Sequence, residues 1–384
     1  MTLISAVAAL VPGDASTGTP ARIAPRWLRV IDGRIVEVGD GAPPSTPDVM
    51  LDDGVLAPGF LDVHCHGGGG ASFSEGASAA ATARAAHRDA GTTTMLASLV
   101  TDPLDDLAAQ LEALRPLVDS GELAGVHLEG PWLSPRHRGA HDPEHLVPPE
   151  PAALERLLGT GLVRMVTLAP ELDGGLDAVR RVVAAGATAA LGHTDASYER
   201  SAEALDAGAT AGTHLFNAMA GLHHREPGPA AALLERDEVF IEIIADGVHV
   251  HPAMLRLAFA QHPERFVLIS DAMAAAAAAD GAYRLGGLDV QVRDGVARLV
   301  EADGRPGAIA GSTLTVADAV RHAVREASIP PAQALAAATE NPASMVGMAD
   351  VGRLAAGTQA DLVHLDEDLA VRAVMHRGAW LGPG

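Results

Sequence analysis

The two ends of the chain have the alternating apolar and polar pattern of short β-strands. Near the N-terminus, residues 27–30 and 35–38 flank Asp32-Gly33, a pair typical of a hairpin turn. Near the C-terminus, residues 360–365 and 369–380 have the same character and follow glycine-containing turns. Since the middle of the chain has a different pattern, we predict that the ends, residues 1–56 and 349–384, pair into one small β-sandwich domain.

Between these ends, short apolar runs alternate with longer helical stretches rich in Ala, Leu and Arg. This alternation predicts parallel strands joined by helices. Eight such runs favour an α/β fold, a (β/α)8 TIM-like barrel over residues 57–348. A β-hairpin near residues 283–301, turning at Asp294-Gly295, is predicted to be an insertion. The eight predicted strands are Phe60–His66, Thr92–Ser98, Ala124–Gly130, Arg164–Ala169, Ala187–Thr194, Ala209–Asn217, Val239–Asp246 and Arg265–Asp271.

The composition is that of a soluble globular protein. Of the 384 residues, 48% are hydrophobic and 20% are charged, which excludes a disordered chain. No apolar run reaches the roughly 18 residues needed to span a bilayer. The formal net charge of −22 disfavours nucleic acid and anionic membranes as partners. The sequence therefore predicts a small-molecule partner, with no nucleic acid and no membrane.

Two residue types are nearly or wholly missing. All 27 cationic residues are Arg and none is Lys, which excludes Schiff-base catalysis, a Walker A loop and a carbamylated-lysine metal bridge. The single cysteine, Cys65, excludes intrachain disulfides and fits a reducing compartment. Since the first basic residue is Arg22, the N-terminus lacks the basic region of a signal peptide. We therefore expect a cytoplasmic protein.

Residues that bind metals lie at the C-terminal ends of the predicted strands, where barrel enzymes place their active sites. His64 and His66 are two apart in a strand and face the same side, whereas Cys65 faces away and is predicted to be a packing residue. The glycines at 67–70 leave room for a substrate. The other candidates, at equivalent positions on later strands, are Glu129, His193, His214 and Asp271.

Imidazoles and carboxylates without a thiolate predict a divalent metal. Zn²⁺ suits them first, and Mn²⁺, Fe²⁺ or Co²⁺ are also compatible. Six candidates exceed the three protein ligands of a simple catalytic zinc, so we favour two ions over one. A bridging carboxylate would replace the carbamylated lysine that this chain cannot supply. The assignment is His64, His66 and Asp271 to one ion and His193 and His214 to the other, with Glu129 between them.

Short motifs recur along nearly the whole chain. They are His-x-His at 64–66, Glu-Gly-Pro at 129–131, Gly-His-Thr at 192–194, Thr-His-Leu-Phe-Asn-Ala-Met at 213–219, Asp-Gly-Val-His at 246–249, Ser-Asp-Ala-Met at 270–273 and the turn at 351–362. Together they resemble the N-acetylglucosamine-6-phosphate deacetylase family of the amidohydrolase superfamily. The Leu-Phe-Asn-Ala-Met string is the most specific, because metal geometry alone does not require it.

The resemblance implies metal-dependent hydrolysis of the acetamide of N-acetylglucosamine-6-phosphate to glucosamine-6-phosphate and acetate, in amino-sugar catabolism and cell-wall recycling. Water activated by the metal would attack the carbonyl, with Asp271 as general base and then general acid. His141 matches a substrate-contacting histidine of the family. We expect it to stabilise the oxyanion together with the metal.

A chain with a net charge of −22 needs a local positive group to hold a phosphate, and Arg225 is the candidate. Asn217 and Ala218 form a turn whose amide and backbone are expected to contact phosphate oxygens. His249 matches a sugar-contacting histidine of the family. In that family the arginine matching Arg225 reaches the neighbouring subunit's site, which implies a homodimer.

Other functions stay open at this point. The same metal ligands would serve another amidohydrolase acting on an unphosphorylated amide, dihydroorotase-like or specific for N-acyl amino acids, or a metal-dependent phosphoesterase. A non-catalytic sugar-phosphate sensor is a further alternative, although such a sensor has no need of a proton shuttle at Asp271. The alanine run at 274–279, directly after Asp271, predicts either a mobile lid or a short helix.

Overall fold

The computed structural model describes residues 1–13 and 17–382. Residues 14–16 and 383–384, which belong to the segments predicted to form the β-sandwich, lie outside the described residues. The strands are β1 (Thr2–Val11), β2 (Arg22–Ile31), β3 (Arg34–Asp40), β4 (Val49–Leu51), β5 (Val55–Pro58), β6 (Phe60–Asp62), β7 (Gly67–Gly68), β8 (Ala71–Ser72), β9 (Thr92–Val100), β10 (Gly125–Glu129), β11 (Val163–Leu168), β12 (Thr188–Leu191), β13 (Ala211–Gly212), β14 (Phe240–Ile244), β15 (Phe266–Ile269), β16 (Ala282–Leu285), β17 (Leu288–Arg293), β18 (Val296–Val300), β19 (Pro306–Ile309), β20 (Leu362–Leu365), β21 (Val371–His376) and β22 (Ala379–Trp380).

The α-helices lie mostly between the strands of the middle region. One of them, α8 (Val316–Arg325), is amphipathic: Val316, Val320 and Ala323 are buried at helical spacing, and the Thr315 side chain accepts a hydrogen bond from the backbone of Asp318 at the helix start. No helix in the described part of the chain has the length and apolar character needed to cross a membrane. The helices are α1 (Ala77–Asp89), α2 (Leu104–Asp119), α3 (Pro151–Leu158), α4 (Gly175–Ala184), α5 (Tyr198–Asp206), α6 (Gly228–Glu235), α7 (Pro252–Gln261), α8 (Val316–Arg325), α9 (Pro331–Ala337) and α10 (Glu340–Met345).

Strands from both ends of the chain form one sheet, in the order β22-β21-β20-β5-β1-β2-β3, with β4 beside β1. The antiparallel pairing of β5 with β20, in which Leu56 lies opposite His364, joins the two ends. Both halves of the sheet contribute to one buried apolar cluster, which includes Ile4, Leu28 and Leu362. The predicted β-sandwich made from both termini is therefore confirmed.

The middle of the chain forms the second eight-stranded sheet, in the order β15-β14-β13-β12-β11-β10-β9-β6. Its strands pair in parallel, and each of the eight lies within a predicted strand region or overlaps it. Beyond β6 and β15, the backbone N–H of Asp271 donates to the carbonyl of His64 at 2.8 Å, and that of His66 to Ala272 at 2.7 Å. These bonds join the first and last strands at their C-terminal ends, so the (β/α)8 barrel is confirmed and closed next to the candidate ligands.

The sixth barrel strand is much shorter than the prediction over Ala209–Asn217. Only Ala211–Gly212 pairs as a strand, because the backbone then turns. His214, Phe216 and Ala218 all have positive φ angles, of 29°, 77° and 46°. A left-handed backbone cannot continue a strand, so the chain leaves the sheet and carries His214 over the end of the barrel.

A small antiparallel sheet, in the order β16-β17-β18-β19, follows the eighth barrel strand. Its central hairpin, β17 and β18, turns at Asp294-Gly295. The alanine run at 274–279 lies between the barrel and this sheet and forms turns, not a helix. Ala274–Ala276 are buried, and Ala274 and Ala275 belong to the same apolar cluster as the small sheet. We call β16–β19 the inserted sheet.

Candidate active site

A cavity of about 240 Å³ opens at the C-terminal end of the barrel. Five of the six predicted metal ligands line it, and the sixth, His64, lies beneath them with no exposed surface. A larger cavity, of about 420 Å³, lies between α7, α9, α10 and the β1–β2 connection and is lined by none of the predicted site residues. The ligands lining the first cavity are His66, Glu129, His193, His214 and Asp271.

Two clusters of ligand atoms share the carboxylate of Glu129. In the first, the Nε2 atoms of His64 and His66 are 3.2 Å apart, and His66 Nε2 is 3.2 Å from Glu129 Oε2. Asp271 Oδ1 lies 3.3 Å from His66 Nε2 and 3.5 Å from His64 Nε2. His64 and His66 lie two residues apart in the segment that follows β6 and make the first contact, and the closure of the barrel at β15 brings in Asp271.

In the second cluster, the Nε2 atoms of His193 and His214 are 3.1 Å apart, and each lies 3.1 Å from Glu129 Oε1. Both histidines follow short strands, and Glu129 is the last residue of β10. Glu129 is thus placed between the two histidine pairs. Its Oε1 contacts the second pair and also lies 3.4 Å from His64 Nε2, while its Oε2 contacts His66.

For two of the histidines, His64 and His193, the hydrogen bond on Nδ1 indicates that Nε2 faces the other ligands without a proton. His193 Nδ1 lies 2.7 Å from the carbonyl of His137, which can only accept, so Nδ1 carries the proton. His64 Nδ1 lies 3.1 Å from the carboxylate of Glu242. In the neutral rings, the Nε2 lone pairs then point at other acceptors. Lone pairs at about 3 Å repel unless a cation lies between them, so these residues fit a divalent metal.

The charges of the cavity also favour a cation. Burial lowers the pKa of His64, but the carboxylates of Glu129 and Asp271 outweigh burial and raise it well above its ordinary value. Burial raises the pKa of Asp271, but His64 and His66 lower it to about 2. The carboxylates therefore stay ionised near neutral pH and demand positive charge at the cluster, which either protons or a metal can supply.

The backbone is strained at several of these positions. His193, His214 and Asp271 have φ angles of 47°, 29° and 46°, a region that residues with a side chain rarely adopt. Each such residue costs roughly 1–3 kcal/mol, and strain of this kind concentrates at functional sites. The three residues follow strand ends, where the chain must turn sharply to aim a side chain over the barrel.

Four of the five predicted substrate residues line the cavity: His141, Asn217, Ala218 and His249. His249 Nδ1 lies 2.6 Å from Asp246 Oδ2, which fixes the ring. Arg225 does not line the cavity. It lies exposed on the loop before α6, with Nη1 2.7 Å from His224 Nε2.

Cys65 lies on the opposite side of its strand from His64 and His66 and is fully buried. Its Sγ is 3.3 Å from His87 Nε2, and Asp62 belongs to the same cluster. His87 Nε2 also lies 2.9 Å from the carbonyl of Gly67, and Asp62 accepts a 2.5 Å hydrogen bond from the hydroxyl of Ser270. These groups are already hydrogen-bonded among themselves, as expected of a packing cluster.

Sequence reasoning missed two carboxylates that orient site histidines, Glu242 and Asp246. Glu242 has no exposed surface and lies in the apolar strand β14. A lone acid inside an otherwise apolar strand is the signal that could have identified it, because a buried carboxylate requires partners. Asp246 was part of a recognised motif but was not assigned a role.

We expect Glu242→Gln to weaken zinc binding about 10- to 100-fold. The carboxylate of Glu242 keeps the proton of His64 on Nδ1, and a neutral amide would hold it there less strongly. The dissociation constant can be measured by competition with a chromophoric chelator. Glu238→Gln, an exposed change between α6 and β14, is the matched control. An unchanged constant in a folded Glu242→Gln protein would refute the orienting role.

Comparison with known proteins agrees with this fold. Residues 55–381 match the model of the amidohydrolase family. An N-acetylgalactosamine-6-phosphate deacetylase of Escherichia coli O157:H7 is 38% identical over 91% of this chain and 93% of that protein. An N-acetylglucosamine-6-phosphate deacetylase of Bacillus subtilis (strain 168) is 34% identical over 92% of this chain and 91% of that protein.

A solved structure extends the likeness to the whole fold. It is an N-acetyl-D-glucosamine-6-phosphate deacetylase from Mycobacterium smegmatis, an aspartate-to-alanine variant in complex with N-acetyl-D-glucosamine-6-phosphate. It is 47% identical, has a TM-score of 0.93, and the match covers 99% of this chain and 98% of that one. The chain therefore belongs to the amidohydrolase family, and within it to the N-acetylglucosamine-6-phosphate deacetylases.

Proposed function

We propose that the protein hydrolyses the acetamide of N-acetylglucosamine-6-phosphate, giving glucosamine-6-phosphate and acetate, in amino-sugar catabolism and cell-wall recycling. The observation that carries the proposal is the position of Asp271, an ionised carboxylate in contact with the paired histidines on the wall of the cavity. The substrates of the relatives supply the identity of the amide. A cytoplasmic location is part of the proposal and is supported by the single unpaired cysteine, Cys65.

We assign the metal to the two clusters that share Glu129, with zinc as the first choice for imidazole and carboxylate ligands. One ion would be held by His64, His66 and Asp271, and a second by His193 and His214. A bound divalent metal supplies a Lewis acid that activates water and polarises the carbonyl oxygen.

Asp271 has the properties of the general base and then the general acid. Since its pKa is lowered to about 2, it is a carboxylate near neutral pH and can accept a proton from the attacking water. The water oxygen forms a bond to the carbonyl carbon, and the bond from carbon to nitrogen then breaks. The proton held by Asp271 passes to the nitrogen, which leaves as the amine while the acyl group leaves as acetate.

His141 supports the negative oxygen that forms during this reaction. Its Nδ1 accepts the backbone N–H of Thr101 at 3.2 Å, so the neutral ring carries its proton on Nε2, 3.3 Å from Glu129 in the cavity. Burial lowers the pKa of His141 to about 4, against the opposing effect of Glu129. Near neutral pH, His141 is therefore an uncharged N–H donor at the cavity wall, as an oxyanion stabiliser requires.

The phosphate is assigned to Arg225 of a second subunit, with Asn217 and Ala218 contributing from the cavity wall and His249 contacting the sugar. Arg225 is exposed and the neighbouring Leu222 has 44% of its surface exposed, which suits a loop that a partner covers. A homodimer in which each subunit completes the other's site follows from this assignment.

Replacing Arg225 by alanine is expected to raise KM for the phosphorylated sugar about 10- to 100-fold with little change in kcat, because a charged hydrogen bond to phosphate is lost. Arg305→Ala, an exposed arginine of the inserted sheet, is the control. Mixed dimers of Arg225→Ala and Asp271→Asn chains provide a second measurement. At substrate concentrations near the wild-type KM, they regain activity only if Arg225 acts across the interface, so mixed dimers as weak as Arg225→Ala under those conditions would contradict the shared site.

The proposed function is tested by acetate release from N-acetylglucosamine-6-phosphate and from the unphosphorylated sugar. A strong preference for the phosphorylated sugar is expected. Because one relative is named for N-acetylgalactosamine-6-phosphate, that sugar is the second candidate and belongs in the same assay. Release of phosphate would indicate a phosphoesterase. If metal-loaded protein releases no acetate from either phosphorylated sugar, the substrate assignment is wrong.

A further inference from the structure

The cavity has an apolar side that the proposed reaction does not yet use. Beyond the histidines and carboxylates, its lining includes Leu285 at the end of β16 and Ala308 and Ile309 of β19. All three belong to the inserted sheet, which the barrel itself does not require. Leu285 is 6% exposed, and Ile309 is half-buried.

The end of β19 is tied to the segment that carries Asp271. The backbone N–H of Ser312 donates to the carbonyl of Asp271 at 2.7 Å, and the N–H of Met273 donates to the carbonyl of Ser312 at 2.9 Å. Gly311 packs so closely that a Cβ atom there would lie 2.9 Å from the Asp271 carbonyl. The residues shortly before it, Ala308 and Ile309, are therefore held close to the backbone segment that carries Asp271, and they line the same cavity.

Leu285 also lines the cavity. It shares a buried apolar cluster with Val100 and Met273, and Ala140, the residue before His141, packs against that cluster. Thr101, which follows Val100, holds His141 Nδ1 through its backbone N–H. The apolar cluster that contains Leu285 thus includes Met273, from the segment that carries Asp271, and Val100, next to the residue that holds His141.

The geometry of an amide suggests a role for this apolar side of the cavity. The reacting carbonyl carbon must lie within reach of Asp271 and of the His141 N–H. One of its substituents is the nitrogen with the sugar attached, which runs towards Asn217, Ala218 and His249. The other substituent is the acyl chain, which has to point elsewhere. Three larger apolar side chains line the cavity, and two of them, Leu285 and Ile309, belong to the inserted sheet, while the third is Ile244 at the end of β14.

We propose that the inserted sheet forms the acyl wall of the cavity, and that Leu285 and Ile309 limit the N-acyl group to a short chain. The inference rests on the proposed deacetylase function and deepens it, because it names the class of amide accepted: acetyl, with longer unbranched acyl groups excluded by contact with these two side chains. In an apolar pocket, one additional methylene group changes kcat/KM by about 10- to 200-fold.

The test compares kcat/KM for the N-acetyl, N-propionyl and N-butyryl forms of glucosamine-6-phosphate. Release of the free amine is the measured signal. We expect the wild-type rate to fall with each added methylene. In Leu285→Ala and in Ile309→Ala, the ratio of butyryl to acetyl activity should rise at least about tenfold. Val290→Ala, in the same buried cluster on β17 but outside the cavity lining, is the control and should leave the ratio unchanged.

The outcomes are separable. If the wild type cleaves none of the three amides, the proposed function fails, and the inference fails with it. If the wild type cleaves the acetyl form but the ratio does not change in a folded Leu285→Ala protein, the acyl wall is wrong. If Leu285→Ala does not fold, Ile309→Ala is the test, because Ile309 is only half-buried. A ratio of butyryl to acetyl activity in Ile309→Ala equal to that of the wild type would then overturn the proposal.

Discussion

Replacing Asp271 by asparagine is expected to lower kcat about 10²- to 10⁴-fold, because the amide cannot accept a proton from water or deliver one to the leaving amine. Asparagine keeps the size of the side chain and an oxygen near His66. Zinc content and melting temperature are therefore expected to change much less than kcat. Acetate release at saturating substrate, with the metal content of the same sample, measures the effect.

Asp289→Asn is the matched control for this variant. It makes the same chemical change at an exposed carboxylate of the inserted sheet, where Asp289 is 77% exposed and 3.7 Å from Arg284. Its kcat should equal that of the wild type. An Asp271→Asn enzyme that keeps most of its kcat with a normal metal content would assign the proton transfer to another group.

Removal of the metal is the second large effect that we expect. Chelation should lower activity at least about 10³-fold, since a bound divalent metal lowers the pKa of water to about 7 and polarises the carbonyl. Adding zinc should restore the wild type. In Glu129→Gln, the charge between the two histidine pairs is lost, so zinc should restore little activity and bind more weakly.

Glu144→Gln, an exposed carboxylate outside the cavity lining, serves as the control for Glu129→Gln. Zinc titration monitored by calorimetry separates loss of binding from loss of chemistry. Full turnover by protein shown to be free of metal would contradict the assignment of the two clusters. Normal zinc affinity in a folded Glu129→Gln protein would show that Glu129 does not bind the metal.

The local pattern of the chain predicted the barrel well, because the burial of one strand face and one helix face is written into the spacing of apolar residues. The pair His64 and His66 illustrates this for the site. Their spacing of two places both rings on one side of a strand in any fold that keeps the strand. The sixth strand shows where prediction from local pattern fails. The left-handed turn at His214 depends on contacts with Glu129 and His193, which are distant in the chain.

Local spacing of residues does not predict contacts between distant segments of the chain. Glu242 lies 178 residues from His64 in the chain, and no local periodicity connects the two. Arg225 was selected as a basic residue in an acidic chain, but a single chain leaves it exposed and outside the cavity lining. The inserted sheet was visible as a hairpin, yet nothing in its alternation predicts that Leu285 reaches the cavity.

The sequence by itself determined the fold class, the set of ligand-type residues and their positions at strand ends, since these follow from local periodicity and residue chemistry. The tertiary structure decided which ligands share Glu129, which carboxylates orient the histidines, and which side of the cavity is apolar. The physical reason is the closure of the barrel: the bonds between His64, His66 and residues 271–272 bring the first and last strands together, and only that closure sets distances between their side chains.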